Sequence, residues 1–331
     1  MDASNVTIHD VVQVYGIQKY FLVLNLALCC LGMLINLCVL VVFAKTKRLR
    51  TASNYFIIGL TLSDLQIDLM LPPMTMSTEI RRTGGSAADA WCVVFQAYRN
   101  VIFQCAGMVS IFLITTDRLV AVLRPIRHRV VVTRGRSKVA VMCGFIFCYV
   151  LAFVPVFLKS KDDWLYLCAG FYNYNRAFGA SLLGILTVLF VSILVMYVVI
   201  LYHVKSKLRK QIGEANERTN RKSINNAVIA RLMFGIFMTF SATWLFDVVV
   251  GSTIEGCETI SVEGQIYRIC YGNGDESEIL VAKFVSVTLI CAGTVINPLL
   301  YSLGLKKFRL EIVKLMPKRF HPTSEAQNSS R

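Results

Sequence analysis

Residues 20–44 read YFLVLNLALCCLGMLINLCVLVVFA, an apolar run without a charged side chain. About 20 mostly apolar residues suffice for a helix to cross the hydrocarbon core of a bilayer. Six more stretches of this kind follow, at 54–76, 92–116, 139–158, 178–202, 228–250 and 281–303. Of the 331 residues, 55% are hydrophobic and 17% charged, with a mean hydropathy of +0.58. A soluble domain cannot cover that much apolar surface. The expected fold is all-α and integral to the membrane: one bundle of seven transmembrane helices over 20–303, without repeats or long low-complexity tracts, preceded by a tail at 1–19.

A formal charge of +15 is compatible with nucleic-acid binding, but the basic residues sit on alternate loops, which is a membrane pattern. One side of the bilayer receives Lys45, Lys47, Arg48 and Arg50, then Arg124 to Lys138, then Lys205 to Lys222, then Lys306 to Arg319. This side is expected to be the cytosol, with the N-terminus outside. The last outer segment is acidic, with Glu255, Glu258, Glu263, Asp275, Glu276 and Glu278. Residues 1–19 are polar and lack the basic start and apolar run of a cleaved signal, so the first span is expected to direct its own insertion.

Asn5-Val6-Thr7 is a glycosylation acceptor on the outer side, whereas Asn328-Ser329-Ser330 falls in the cytosol. Of eleven cysteines, Cys92, Cys168, Cys257 and Cys270 lie at or beyond the outer face. That placement suits two disulfides in an oxidising compartment. Four cysteines allow three pairings, Cys257 with Cys270 closing a short loop, and free thiols are the alternative. His9, His128, His203 and His321 are scattered over tails and span ends. No catalytic site, metal cluster or cofactor is expected from them.

Polar residues inside spans are costly, and they are kept for packing, ion binding or switching. Asn36, Asp64, Asp117, Arg118 and Asn297 are the ones to read. Any one could be an interhelical hydrogen bond that merely holds the bundle. Arg118 cannot shed its charge, and the adjacent Asp117 can hold it while the bundle is closed. Pro298 frees a backbone carbonyl and kinks its helix.

The arrangement resembles the rhodopsin-like G-protein-coupled receptors over about 32–308. Asn36-Leu37-Cys38-Val39 is similar to the family's first-span motif, and Leu60-Thr61-Leu62-Ser63-Asp64 to its second. Asp117-Arg118-Leu119 with Pro125-Ile126-Arg127-His128 resembles the third-span motif and its loop. Asn297-Pro298-Leu299-Leu300-Tyr301, with Phe308 seven residues on, resembles the end of the seventh span and the short amphipathic helix after it, here within 304–331. The resemblance implies a cytoplasmic heterotrimeric G protein as partner. It docks near Arg118 when the sixth helix swings outward, with Tyr197 and Tyr301 turning inward and Ile126 entering a pocket on the partner. It implies a relay through Asn36, Asp64, Phe240 and Trp244, with Asp64 facing inward near Asn36 and Asn297, and a Cys92–Cys168 bridge. Asp64 is also where the family often binds sodium, although Gly107 stands where many members place a serine.

Departures from the pattern are as informative. The fourth span has no tryptophan, Leu189 replaces a fifth-span proline, Phe246 replaces a sixth-span proline, and Trp91 adjoins Cys92. Asn226 occupies the approximate position of an acidic partner for Arg118.

A ligand pocket is expected between the outer halves of the third, fifth, sixth and seventh helices, with Tyr98, Arg99, Phe103, Phe171 and Asp247 as candidate residues. Gln96-Ala97-Tyr98-Arg99-Asn100 has no aspartate of the kind amine receptors use, and Cys291 stands where opsins carry a lysine. Arg99 could grip an anionic ligand or pair internally with Asp247. Trp164, Tyr166, Phe171, Tyr172 and Tyr174 make the capping loop aromatic, which favours a peptide over a small chemosensory metabolite. The expected function is a plasma-membrane receptor, a sensory cilium being one such membrane, with lipid as its surroundings. A non-signalling escort receptor is the rival. A transporter or channel would need paired broken helices or an internal repeat.

Overall fold

In the computed structural model, the described residues are 8–82, 102–158, 176–211, 217–255, 257–262, 265–270, 276–305 and 308–311. The helices are α1 (Ile8–Lys45), α2 (Ala52–Arg82), α3 (Phe103–Leu123), α4 (Pro125–Val131), α5 (Arg134–Leu158), α6 (Arg176–Gln211), α7 (Glu217–Glu255) and α8 (Glu276–Gly304). All but α4 contain a segment long and apolar enough to span a membrane: Lys19–Lys45, Ala52–Pro72, Gln104–Leu123, Arg134–Val154, Ser181–Lys207, Arg231–Val250 and Phe284–Ser302.

Several helices outlast the apolar runs that announce them. The third was expected to end at 116, but α3 continues to Leu123 and carries Asp117 and Arg118 on a helical scaffold. Pro125 stops it, because the residue before a proline is pushed out of the α region. Arg124 accordingly has φ −135° and ψ 68°. Pro125 then opens α4 at a position where its missing N–H costs nothing.

Polar side chains sit inside, amid a mainly apolar core, while large apolar side chains also cover the rim. Asn36 and Asp68 are fully buried, while Leu34, Val150 and Val188 are more than 60% exposed. A rim this apolar is unlike a soluble protein's surface and suits helices whose outward faces meet lipid. The helices pack in the order α5, α2, α1, α8, α7, α6, each on the next, while α3 touches α2, α5, α6 and α7 and so runs through the middle.

An aromatic ladder joins α6 to α7. Phe190 stacks on Trp244 at 5.2 Å and lies 5.5 Å from Phe237, which stacks on Tyr197 at 5.1 Å. Such pairs each contribute about 0.5–1.5 kcal/mol beyond burial. Phe190, next to the position where a fifth-span proline is missing, thus supplies the central rung.

The all-helical expectation needs one addition. Between α7 and α8, strands β1 (Cys257–Val262) and β2 (Gln265–Cys270) form an antiparallel hairpin whose register sets Cys257 opposite Cys270. Beyond α8, residues 308–311 are helical, and the buried ring of Phe308 meets Tyr301 edge-on at 6.2 Å.

Candidate switch and ligand site

Asp117 is the hub at one end of the bundle. Its carboxylate, 3% exposed, accepts from Arg118 Nε at 2.9 Å and also contacts the Arg118 Nη2. The other oxygen accepts from Ser53 Oγ of α2 at 3.1 Å and pairs with His128 Nε2 of α4 at 2.7 Å. Arg118 is therefore folded back onto its own helix, and the group that holds it is tethered to two further helices. The Asp117–Arg118 pairing follows the sequence expectation. Ser53 and His128 had no place in it, because their contact with Asp117 depends on how α2 and α4 are set against α3. Nearby, Tyr197 Oη donates to the Met233 carbonyl at 2.9 Å, tying α6 to α7. The Tyr301 hydroxyl lies 2.6 Å from Thr61 Oγ1 of α2. The side chain of Asn226 lies outside the described ones.

Farther along the bundle, Asn297 Nδ2 donates to both Asp64 oxygens at 3.4 and 3.3 Å. Asn36 does not join Asp64. Its Nδ2 donates to Asp68 Oδ2 at 3.2 Å and to the Thr294 carbonyl at 3.1 Å. That carbonyl is the one Pro298 leaves without its helical partner, so the first helix repairs the break in the last.

Asp68 was not anticipated. It also accepts from Thr294 Oγ1 at 2.7 Å, and room for it comes from Gly32, where a Cβ would fall 2.7 Å from both carboxylate oxygens. Its position one helical turn beyond Asp64 in an apolar run was the available signal. Asn36 Oδ1 and Asn297 Oδ1 are buried without a partner among the described residues. Gly107 is accounted for by packing: a Cβ there would lie 2.9 Å from Phe240 Cε2, so Phe240 occupies the space a serine needs.

A cavity of about 50 Å³ connects this region to the far end, bordered by Asp64, Gly107, Phe240, Trp244, Gln104 and Asp247 among others. That volume takes a few waters or one polar head group. Asp247 accepts from Gln104 Nε2 of α3 and from Ser286 Oγ of α8, each at 2.6 Å. Trp244, 5% exposed, has its indole Nε1 without a partner among the described residues. Of the other pocket candidates, Tyr98, Arg99 and Phe171 lie outside the described residues, as does the side chain of Phe103. Cys92, Cys168 and Asn5 lie outside them too, and of Cys257 and Cys270 only the backbone register is described. Among the described residues no group of three or more His, Cys, Asp or Glu side chains could hold a metal ion.

Seven apolar helices around a buried polar core, with a cationic latch at one end and a cavity toward the other, define a multi-pass membrane protein of receptor architecture. Residues 35–301 match the model of the 7 transmembrane receptor (rhodopsin family), and the chain belongs to that family. It is 22% identical over 284 residues to adenosine receptor A3 of Canis lupus familiaris, covering 83% of each chain. It is 26% identical over 318 residues to growth hormone secretagogue receptor type 1 of Mustela putorius furo, covering 92% of this chain and 82% of the relative. To melanopsin-B of Xenopus laevis it is 21% identical over 319 residues, covering 92% of this chain and 55% of the relative. The family is one of receptors, not enzymes.

Proposed function

We propose that the protein is a plasma-membrane receptor, N-terminus outside, that binds an extracellular ligand among the third, fifth, sixth and seventh spans and activates a heterotrimeric G protein at the Arg118 end. The observation that carries this reading is the Asp117 hub. It holds Arg118 in a form that a modest shift of α2, α3 or α4 would undo. Beside it, Ile126 is 84% exposed on α4, a large apolar side chain suited to a pocket on the partner. Activation is a population shift, and the ligand must favour the open state by differential contacts. The ladder Trp244–Phe190–Phe237–Tyr197 supplies packed side chains between the two ends, and Asn297, Pro298 and Tyr301 supply a second connection through α8.

A peptide ligand is favoured by the aromatic content of 159–176, with a small metabolite as the alternative. The relatives' names cover more than one ligand chemistry and support the receptor class alone. Disulfides Cys92–Cys168 and Cys257–Cys270 and a glycan on Asn5 belong to the same reading, and the β1–β2 register supports the second bridge. A sodium ion at Asp64 would have the free Asn297 Oδ1 as a further ligand, but no hydroxyl at position 107.

The test is Arg118→Ala at matched surface expression, with agonist-stimulated nucleotide exchange on the G protein as readout. Exchange should be abolished. A wild-type rate in this variant would contradict the proposal.

A further inference from the structure

Asp247 carries an anion into the bundle, one helical turn beyond Trp244 on the side away from Arg118. Its two described partners, Gln104 Nε2 and Ser286 Oγ, are neutral donors at 2.6 Å, one on each oxygen. A carboxylate offers about four acceptor positions, so these bonds fix its orientation and leave capacity on both oxygens. Among the described side chains no Lys, Arg or His pairs with Asp247, whereas Asp117 pairs with both Arg118 and His128. An ionised group inside a membrane bundle is costly without a countercharge and marks a functional site by default.

Three other features bear on what the partner is. Asp247 borders the cavity that also contains Trp244 and Gln104. Trp244, whose stacked indole walls the same space, has its Nε1 buried without a partner among the described residues. Finally, the segment 251–280, leading away from the end of the sixth span, carries six acidic side chains against the single base Arg268, a field that concentrates cations near the entrance.

We propose that Asp247, oriented by Gln104 and Ser286, anchors a cationic group of the ligand, an ammonium or guanidinium, in the cavity walled by Trp244. This rests on the reading of the chain as a ligand-activated receptor and names the ligand's charge. It stands apart from both alternatives for Arg99, an anionic ligand or an internal pair with Asp247. The cavity admits a head group and not a peptide body, so the cation is a small amine or guanidine, or the terminal amine or a basic side chain of a peptide whose remainder lies farther out. The lack of a third-span aspartate does not bar amines, because here the carboxylate comes from the sixth span.

The test separates binding from signalling. Purified full-length receptor is unfolded thermally with a millimolar panel of primary alkylamines and agmatine, their N-acetylated neutral counterparts, and carboxylates of matched size. At least one cation should raise the melting temperature while its neutral counterpart does not. Asp247→Asn should weaken that cation by about 30-fold, the worth of one charge-assisted hydrogen bond, and Asp247→Glu should recover part of it. Equal binding of neutral or anionic members, affinity within threefold in Asp247→Asn, or no binding by any cation would overturn the proposal. So would cation binding that appears only in Arg99→Gln, since Arg99 would then be the native partner of Asp247. Nucleotide exchange is read separately. A cation that binds through Asp247 yet never stimulates exchange would leave the anchor standing and defeat the G-protein reading.

Discussion

The end of the bundle that carries Arg118 and the end that carries Asp247 each hold a charge, and they hold it differently. Asp117 is saturated from within: Arg118, Ser53 and His128 all converge on it from this chain. Asp247 is held by two neutral donors and faces a cavity. A self-satisfied hub stores a closed state that something must release, while a partly satisfied one awaits a group from outside. Between them, Asp64, Asp68, Asn36, Thr294 and Asn297 knit α1, α2 and α8 together. Substitutions in that middle layer should therefore change stability, those near Asp247 ligand response, and those near Asp117 signalling output.

The largest expected stability effect is at Gly32. Gly32→Ala places a methyl 2.7 Å from the Asp68 oxygens, and overpacking of this kind costs about 2 kcal/mol. Asp68→Ala should cost about 1–2 kcal/mol, since membrane-buried polar contacts are each worth about 0.6 kcal/mol on average, up to about 1.7. With both changes the clash disappears, so the double variant should be at least about 1 kcal/mol more stable than the sum predicts. Additive losses in thermal unfolding would show that Gly32 does not make room for Asp68.

Next in size is His128→Ala. It removes one tether from Asp117 and should raise ligand-free nucleotide exchange about fivefold, corresponding to about 1 kcal/mol. An unchanged basal rate would mean that the latch does not depend on α4. Smaller again is Tyr301→Phe, which loses the contact with Thr61 at 2.6 Å for about 0.6 kcal/mol of stability. The smallest shift in stability, about 0.5 kcal/mol, is expected for Ser286→Ala, which removes one of the two neutral donors on Asp247 at a buried position between helices. Its ligand affinity should nonetheless fall, and a variant that lost stability but kept affinity would blur the contrast between the two ends.

The sequence was most readable where composition alone decides the outcome. An uncharged run such as 20–44 has few alternatives to a spanning helix, and Asn36, Asp64, Arg118 and Asn297 stand out as polar exceptions. What escaped was set by packing between helices. Asn36 serves Asp68 and the carbonyl freed by Pro298, and nothing in the local sequence says that α1 lies close enough to reach them. Asp117 gains Ser53 and His128 only once α2 and α4 are docked. The overrun of α3 to Leu123 was hidden because the charged pair Asp117-Arg118 interrupts an apolar run that resumes over residues 119–123, although the helix is not interrupted. Gly107 reads as a missing polar residue in the sequence and as space for Phe240 in the fold. The register of Cys257 with Cys270 depends on a hairpin that the helical periodicity of the neighbouring spans did not suggest.

One paired measurement bears most directly on this division of labour: equilibrium ligand binding and agonist-stimulated nucleotide exchange on the same preparations of wild type, Arg118→Ala and Asp247→Asn. Arg118→Ala should bind ligand within about threefold of wild type and stimulate no exchange, whereas Asp247→Asn should lose binding and exchange together. Full exchange by Arg118→Ala, or wild-type binding by Asp247→Asn, would contradict the account.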